Sequence, residues 1–181
     1  GLTHRMVDDI FPHRRSELRG LTFSPDGREL AVGSSDGRVA FLDTATLRRV
    51  REPIQLHGHQ ISHIAYALNG SVLVTGGGFG TGIKLTEAAS GRVLAQFDGF
   101  EGLFPQQPLA VSRDGKRLAM GGPEGRVYIR DLVSRRIVAT SPMRVGVTGD
   151  LAFSPDGKWL AIPETRGPIL LWDLRRPGHW R

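Results

Sequence analysis

Phe23-Ser24-Pro25-Asp26-Gly27 is the stretch that decides the fold, because the chain repeats it at Phe153-Ser154-Pro155-Asp156-Gly157. Two looser copies lie between them, and a leucine follows each turn glycine three positions later. The turn glycines are 43, 45 and 42 residues apart, at Gly27, Gly70, Gly115 and Gly157. A period of this length with a fixed internal register predicts a repeat architecture.

Each repeat has the pattern of short strands rather than helices. Large and small side chains alternate before the turn, as in Leu21-Thr22-Phe23, which is typical of a strand. Pro-Asp-Gly and Asn-Gly turns suit tight hairpins, because glycine accepts a positive φ without a Cβ clash. A third strand ends at an acidic residue, as at Asp43, Asp131 and Asp173. Four antiparallel strands in 42–45 residues predict a β-propeller blade.

The repeats resemble those of the WD-repeat β-propeller family. The resemblance is carried by Leu170-Leu171-Trp172-Asp173, by Gly58-His59 and by the two Phe-Ser-Pro-Asp-Gly stretches, and it extends from about residue 18 to about residue 174. It implies an all-β propeller segment of four four-stranded antiparallel blades, with degenerate repeats of bacterial type. Such a segment is either part of a larger propeller or a ring that is completed by association of chains.

The resemblance also implies a structural signature within the blades. In the family, a histidine, an aspartate, a serine or threonine and the tryptophan form a hydrogen-bonded group. The matching residues here are spread over several repeats: His59, Thr75, Asp36 and Trp172, together with the strand-closing Asp43, Asp131 and Asp173. No repeat has all four members, so we expect the blades to rely more on apolar packing than on a buried polar network.

The repeat registers divide the chain into five parts. Residues 1–17 form an N-terminal segment, 18–57 the first blade, 58–104 the second, 105–145 the third, and 146–181 a fourth blade without its own outer strand. Residues 5–11 are expected to be the outer strand of a neighbouring blade or of the last blade.

Composition excludes several classes of function. The 181 residues carry a net charge of +6 and no cysteine, which excludes thiol catalysis, disulfides and cysteine-bound zinc and fits a reducing cytoplasm. No run approaches the roughly 18 apolar residues of a membrane helix, and residues 4–9 are too polar for a secretory signal. We therefore expect a cytoplasmic protein with no membrane partner and no cofactor.

Three motifs could carry chemistry, and each has a simpler interpretation. His57, His59 and His63 could share a metal ion, but the resemblance assigns His59 a structural role. Gly33-Ser34-Ser35-Asp36-Gly37 fits G-x-S-x-G, yet a strand and not a helix is expected to follow it. The glycine-rich stretch at residues 76–84 lacks the Gly-Lys-Ser/Thr of a phosphate loop. We expect no catalytic residue and no bound metal.

The candidate partner-binding residues lie in loops between blades. An apolar loop at residues 97–105 and an aromatic, basic segment near the N-terminus would form a binding patch if exposed, or would cover the blade ends if folded down. Their side chains are Phe11, Arg14, Arg15, Phe100, Leu103 and Phe104. Paired arginines also recur along the chain, and these suit a solvated rim more than a nucleic-acid surface, because no aromatic side chains alternate with them.

The favoured function is a non-catalytic protein-interaction scaffold that presents loops to a partner protein, with an acidic protein and a second copy of the chain among the candidates. In the family such domains often accompany a signalling or ATPase domain. The alternatives are a propeller enzyme of the lactonase or hydrolase type and a basic nucleic-acid-binding surface.

Overall fold

The computed structural model describes residues 10–11, 16–78, 81–97, 108–141, 150–164 and 167–176. The loop predicted at residues 97–105, with Phe100, Leu103 and Phe104, lies outside these residues apart from Phe97. Arg14, Arg15 and most of the strand predicted at residues 5–11 also lie outside them.

The described residues form fifteen strands in four antiparallel sheets, so the prediction of an all-β fold built from four repeats is confirmed. Strands are adjacent in each sheet in the order in which they occur in the sequence. The first sheet contains β1 (Leu18–Phe23), β2 (Glu29–Ser34), β3 (Arg38–Asp43) and β4 (Arg49–Gln55). The second contains β5 (Ile61–Ala67), β6 (Val72–Gly77), β7 (Ile83–Glu87) and β8 (Val93–Phe97).

The third sheet contains β9 (Leu109–Val111), β10 (Arg117–Gly121), β11 (Val127–Asp131) and β12 (Ile137–Thr140). The fourth contains β13 (Ala152–Phe153), β14 (Trp159–Pro163) and β15 (Ile169–Asp173). Strands β3 and β7 directly follow the two glycine-containing motifs at residues 33–37 and 76–82. A strand in these places excludes the helix N-terminus that a nucleophile elbow or a phosphate loop needs.

Successive sheets pack face to face through three separate apolar cores. Phe41, Ile61 and Leu73 belong to the core between the first and second sheets. The next core joins Leu85 to Leu118, and the third joins Ile129 to Trp172. The middle strands are therefore buried on both faces, as in β6, where every residue is buried. The first strands of successive sheets also contact each other, from β1 to β5, β5 to β9 and β9 to β13.

The outward face of the first sheet is only partly covered. Phe11 is 5% exposed and packs against Val32, Ala40 and Leu42 on this face. The prediction that Phe11 contacts a partner is therefore wrong: its ring completes an intramolecular core. Leu21 is on the same face, because it is paired with Val32, and residues directly opposite in a sheet point to the same side. It remains 65% exposed.

The outward face of the fourth sheet is also apolar. Leu171 is paired with Ala161, and Ile169 with Pro163. Ile169 and Leu171 are exposed, whereas Leu160 and Trp172 on the opposite face are fully buried against the third sheet. The two terminal sheets thus each carry exposed apolar side chains on their outer face.

Candidate interaction surface

Turns between the first and second strands form one rim of the molecule, and side chains fix their shape. The Ser24 hydroxyl donates to Asp26 Oδ1 at 2.6 Å and accepts from the Glu29 amide at 2.9 Å. Asp26 Oδ1 also accepts from the Arg28 amide at 3.1 Å. The same three bonds recur in the third and fourth repeats, around Ser112 with Asp114 and Ser154 with Asp156.

The second repeat makes its turn differently. Its sequence, Ala67-Leu68-Asn69-Gly70, has no serine–aspartate pair, and it folds as a 3₁₀ turn. Leu68 and Asn69 have φ values of 48° and 55°, in the left-handed region that asparagine tolerates better than most residues. In this turn the amide and the hydroxyl of Ser71 both donate to Leu68 O, at 3.2 and 2.7 Å.

The acidic residues that end the third strands hold the next turn on the same rim. Asp43 Oδ1 accepts from both the amide and the hydroxyl of Thr46 at 2.7 Å. Asp131 accepts from the Ser134 amide at 2.7 Å. Asp173 makes two hydrogen bonds with the Arg175 guanidinium, at 2.9 and 2.8 Å. These bonds from Arg175 lower the pKa of Asp173 to about 2.

The buried histidine of the second repeat is His57, and the assignment of His59 to this place was wrong. His57 Nε2 is 2.9 Å from the Thr75 hydroxyl, and His57 is 2% exposed, whereas His59 is exposed. The amides of Leu56 and His57 both donate to Gly37 O at 3.0 Å. These bonds hold His57 inward, and the following Gly58-His59 bends out at the surface.

The side chain of Asp36 has partners other than the histidine. It accepts a hydrogen bond from the buried Ser34 hydroxyl and is 3.7 Å from Arg38 Nε. Trp172 lies in the core between the third and fourth sheets. The four residue types of the family signature are therefore divided among three sheets, Ser34 with Asp36, His57 with Thr75, and Trp172.

Two buried threonines of the second sheet predict opposite effects of the same substitution. Thr86 occupies the repeat position of Trp172, and in the described part of the chain its buried hydroxyl has no hydrogen-bond partner. We expect Thr86→Val to raise the free energy of unfolding by up to about 1 kcal/mol, because it removes a buried unpaired polar group. Thr75→Val should lower it by about 1–3 kcal/mol, because it leaves the His57 nitrogen unpaired. Urea unfolding of both variants measures this, and changes of the same sign would contradict the assignment.

His63 and Ser62 are the described residues that come nearest to a catalytic arrangement. His63 Nε2 is 2.5 Å from Asp150 Oδ1, and His63 Nδ1 is 3.2 Å from the Ser62 hydroxyl. The Ser62 hydroxyl, however, donates to Gly76 O at 3.1 Å. A serine nucleophile needs its proton to be taken by the imidazole, and this geometry does not supply that.

The three histidines predicted as a metal-site alternative have separate surroundings. His57 bonds to Thr75, His63 bonds to Asp150, and His59 is exposed. Among the residues with described positions, no group of three histidine, aspartate or glutamate side chains could hold a metal ion.

Some of the predicted rim arginines link neighbouring sheets. The Arg51 guanidinium stacks on Phe41, 3.6 Å from the ring centroid, and donates to the carbonyls of Ala88 and Ala89 at 2.7 and 3.1 Å. Arg135 donates to Leu94 O of the second sheet at 2.9 Å. These two arginines therefore help to hold the array together.

Two grooves lie on the rim between adjacent turns. The groove between the first and second sheets, here the 1–2 groove, has a volume of about 720 Å³. The 3–4 groove, between the third and fourth sheets, has a volume of about 350 Å³. Both are built from the serine–aspartate turn of one repeat and the turns of the next.

No helix in the described ranges is long and apolar enough to cross a lipid bilayer.

Comparisons with known proteins agree with this architecture. The model of the WD domain, G-beta repeat, matches residues 7–43. Target of rapamycin complex subunit wat1 of Schizosaccharomyces pombe is 31% identical over 122 residues, which are 65% of this chain and 37% of that protein. WD repeat-containing protein SL1-17 of Schistosoma mansoni is 32% identical over 122 residues, which are 67% of this chain and 38% of that protein. Cell division cycle 20.1, cofactor of APC complex, of Arabidopsis thaliana is 30% identical over 143 residues, 78% of this chain and 29% of that protein.

The matched region thus spans well under half the length of each of these relatives. The repeat period, the four antiparallel sheets and the matches all agree. The chain belongs to the WD-repeat family.

Proposed function

We propose that this chain is a non-catalytic protein-interaction scaffold whose rim presents turns and grooves to a partner protein. The observation that carries the proposal is the rim itself. Its turns are fixed by repeated serine–aspartate hydrogen bonds, so the grooves between them have a defined shape before a partner arrives. Pre-formed surfaces bind at a lower entropic cost than surfaces that must be ordered.

Two features support a scaffold over a propeller enzyme. The Ser62 hydroxyl donates to a backbone carbonyl, and His57 is buried against Thr75. Neither side chain is placed to transfer a proton to a substrate. Two of the matched relatives are named as a complex subunit and a complex cofactor, which supports a role in an assembly.

We also propose a cellular setting for the chain and a second mode of association, between copies of the chain. A chain with no cysteine suits a reducing compartment, so we propose a cytoplasmic setting. The role in a signalling assembly of bacterial type rests on the family resemblance of the repeats. Exposed apolar side chains on both terminal sheets, such as Leu21 and Ile169, support self-association through these faces, because exposed apolar patches tend to be covered.

A capture experiment tests the scaffold role. The chain is immobilised, and proteins bound from the source lysate are compared with those bound by Ser112→Ala/Ser154→Ala, which loosens two rim turns. Ser35→Ala/Ser62→Ala, which removes two serine hydrogen bonds at the opposite ends of the strands, is the matched control. We expect a protein that binds the wild-type chain and the control, and that the rim variant loses by about tenfold.

Two results would contradict the proposal. One is turnover of a simple ester or lactone that His63→Asn abolishes, since this would make the chain an enzyme. The other is binding that nuclease removes and that falls steeply between about 0.05 and 0.2 M salt, since this would indicate a nucleic-acid partner.

A further inference from the structure

We propose that the 3–4 groove binds an acidic segment of a partner protein, and that carboxylates of this segment pair with the arginines of the groove. This inference rests on the scaffold role and adds a place and a chemistry to it. The groove lies between the turns at residues 112–117 and 155–158, with Leu174 and Arg175 beside them.

The groove carries an excess of positive charge. Its cations outnumber its carboxylates by four to two, with Arg113, Arg117, Lys158 and Arg175 against Asp114 and Asp156. All four cationic residues are exposed. Guanidinium groups bind carboxylates through two parallel hydrogen bonds, which favours acidic side chains as ligands.

The two aspartates of the groove are already engaged in the turns. Asp114 accepts from the Ser112 hydroxyl at 2.6 Å and from the Lys116 amide at 3.0 Å, and Asp156 makes the matching bonds with Ser154 and Lys158 at 2.6 and 3.1 Å. The hydrogen bond from Ser154, with that of the Lys158 amide, lowers the pKa of Asp156 to about 2. Both carboxylates are therefore negatively charged at neutral pH, and each is already hydrogen-bonded within its own turn.

Arg113 and Arg117 are the cations most available to a ligand. Within the described ranges neither makes an ion pair shorter than 4.0 Å, although the charge of Arg117 helps to lower the pKa of Asp114. Lys158 and Arg175, by contrast, are paired with Asp156 at 3.2 Å and Asp173 at 2.8 Å. A ligand carboxylate could therefore bind Arg113 and Arg117 without first breaking an ion pair.

The 1–2 groove shows that the fold does not require these arginines. Counted from the turn glycine, Pro25 holds the position of Arg113 and Glu29 that of Arg117. Glu29 accepts a hydrogen bond from the Tyr66 hydroxyl and lies 3.7 Å from Arg51. The 1–2 groove has three carboxylates and two arginines, so the same construction carries a net negative charge there.

The composition of the groove favours an acidic peptide over a nucleic acid. No aromatic side chain lines the described groove, and the nearby Trp159 ring lies under Arg175, 5.3 Å from the guanidinium carbon. Single-stranded nucleic acids usually need exposed aromatic rings for base stacking.

Fluorescence anisotropy with a labelled hexaglutamate peptide tests the proposal on the whole chain. We expect Arg113→Gln/Arg117→Gln to weaken binding about tenfold. Arg48→Gln/Arg136→Gln removes the same charge from exposed residues that line neither groove and should weaken it by no more than about twofold. Arg117→Glu places in the third repeat the residue that the first repeat already carries, so it should fold and should also lose binding.

Three outcomes overturn the inference. They are a wild-type dissociation constant above about 1 mM, equal losses in the two double variants, and tighter binding of an oligothymidylate of equal charge. If hexaglutamate fails while the lysate partner is still lost on Ser112→Ala/Ser154→Ala, the scaffold role stands and the groove assignment falls.

Discussion

Gly37→Ala is expected to lower the free energy of unfolding by more than about 4 kcal/mol, a large part of the roughly 5–15 kcal/mol by which small domains are stable. Gly37 has a φ of +83°, and a Cβ there would lie 2.0 Å from His57 O and 2.6 Å from His59 O. Both are backbone atoms, and Gly37 O itself accepts from the amides of Leu56 and His57. The chain cannot move away without breaking the link between the first and second sheets.

Gly27→Ala is the matched control. Gly27 also has a positive φ, +71°, but a Cβ there would meet no atom within 4 Å. The substitution Gly27→Ala should lower the free energy of unfolding only by the strain of the left-handed conformation, about 1 kcal/mol. Urea unfolding followed by tryptophan fluorescence gives both values. Equal losses would show that conformational strain, and not the contact with residues 57–59, makes Gly37 necessary.

Acid is expected to destabilise the protein through His57 before it affects the carboxylates. Burial, with a smaller effect of the Lys84 charge, lowers the pKa of His57 to about 4 in the folded state. The unfolded chain, with a histidine pKa near 6.5, therefore binds one more proton than the folded chain between about pH 6.5 and 4. Stability falls as the pH falls through this range, by up to about 1.4 kcal/mol per pH unit and about 3 kcal/mol in total.

His57→Gln removes the titrating group and should flatten this dependence between pH 6.5 and 4. The carboxylates with strongly lowered pKa values, Asp156 and Asp173 at about 2, lose their contribution only below this range. Unfolding free energies at several pH values give the slope for both proteins. If the variant does not fold, NMR titration of the His57 ring in the wild-type chain decides, and a pKa near 6.5 would contradict the prediction.

The sequence predicted the sheets well, because the information that specifies them is local and is repeated four times. A turn glycine, a leucine three residues later and a closing acidic residue recur in register, so an error in one repeat is corrected by the others. The serine–aspartate turns also act within a few residues.

The errors concern contacts between distant residues. His59 belongs to the Gly-His dipeptide of the family, but the bonds of the Leu56 and His57 amides to Gly37 determine that His57 is the buried histidine. Phe11 was assigned to a partner-binding segment because it stands close to Arg14 and Arg15 in an aromatic and basic stretch. The face of the first sheet that it covers consists of residues from β2 and β3, and no motif near Phe11 indicates this pairing.

The hydrogen bond between His63 and Asp150 has a consequence for curvature. It joins a strand of the second sheet to the segment that leads into the fourth, and so bypasses the third. Stacked flat sheets lie about 10 Å apart, so alternate sheets would be separated by about 20 Å, beyond the reach of a histidine and an aspartate. The sheets must therefore fan out from a narrow inner edge, and each added repeat turns the array through a wide angle.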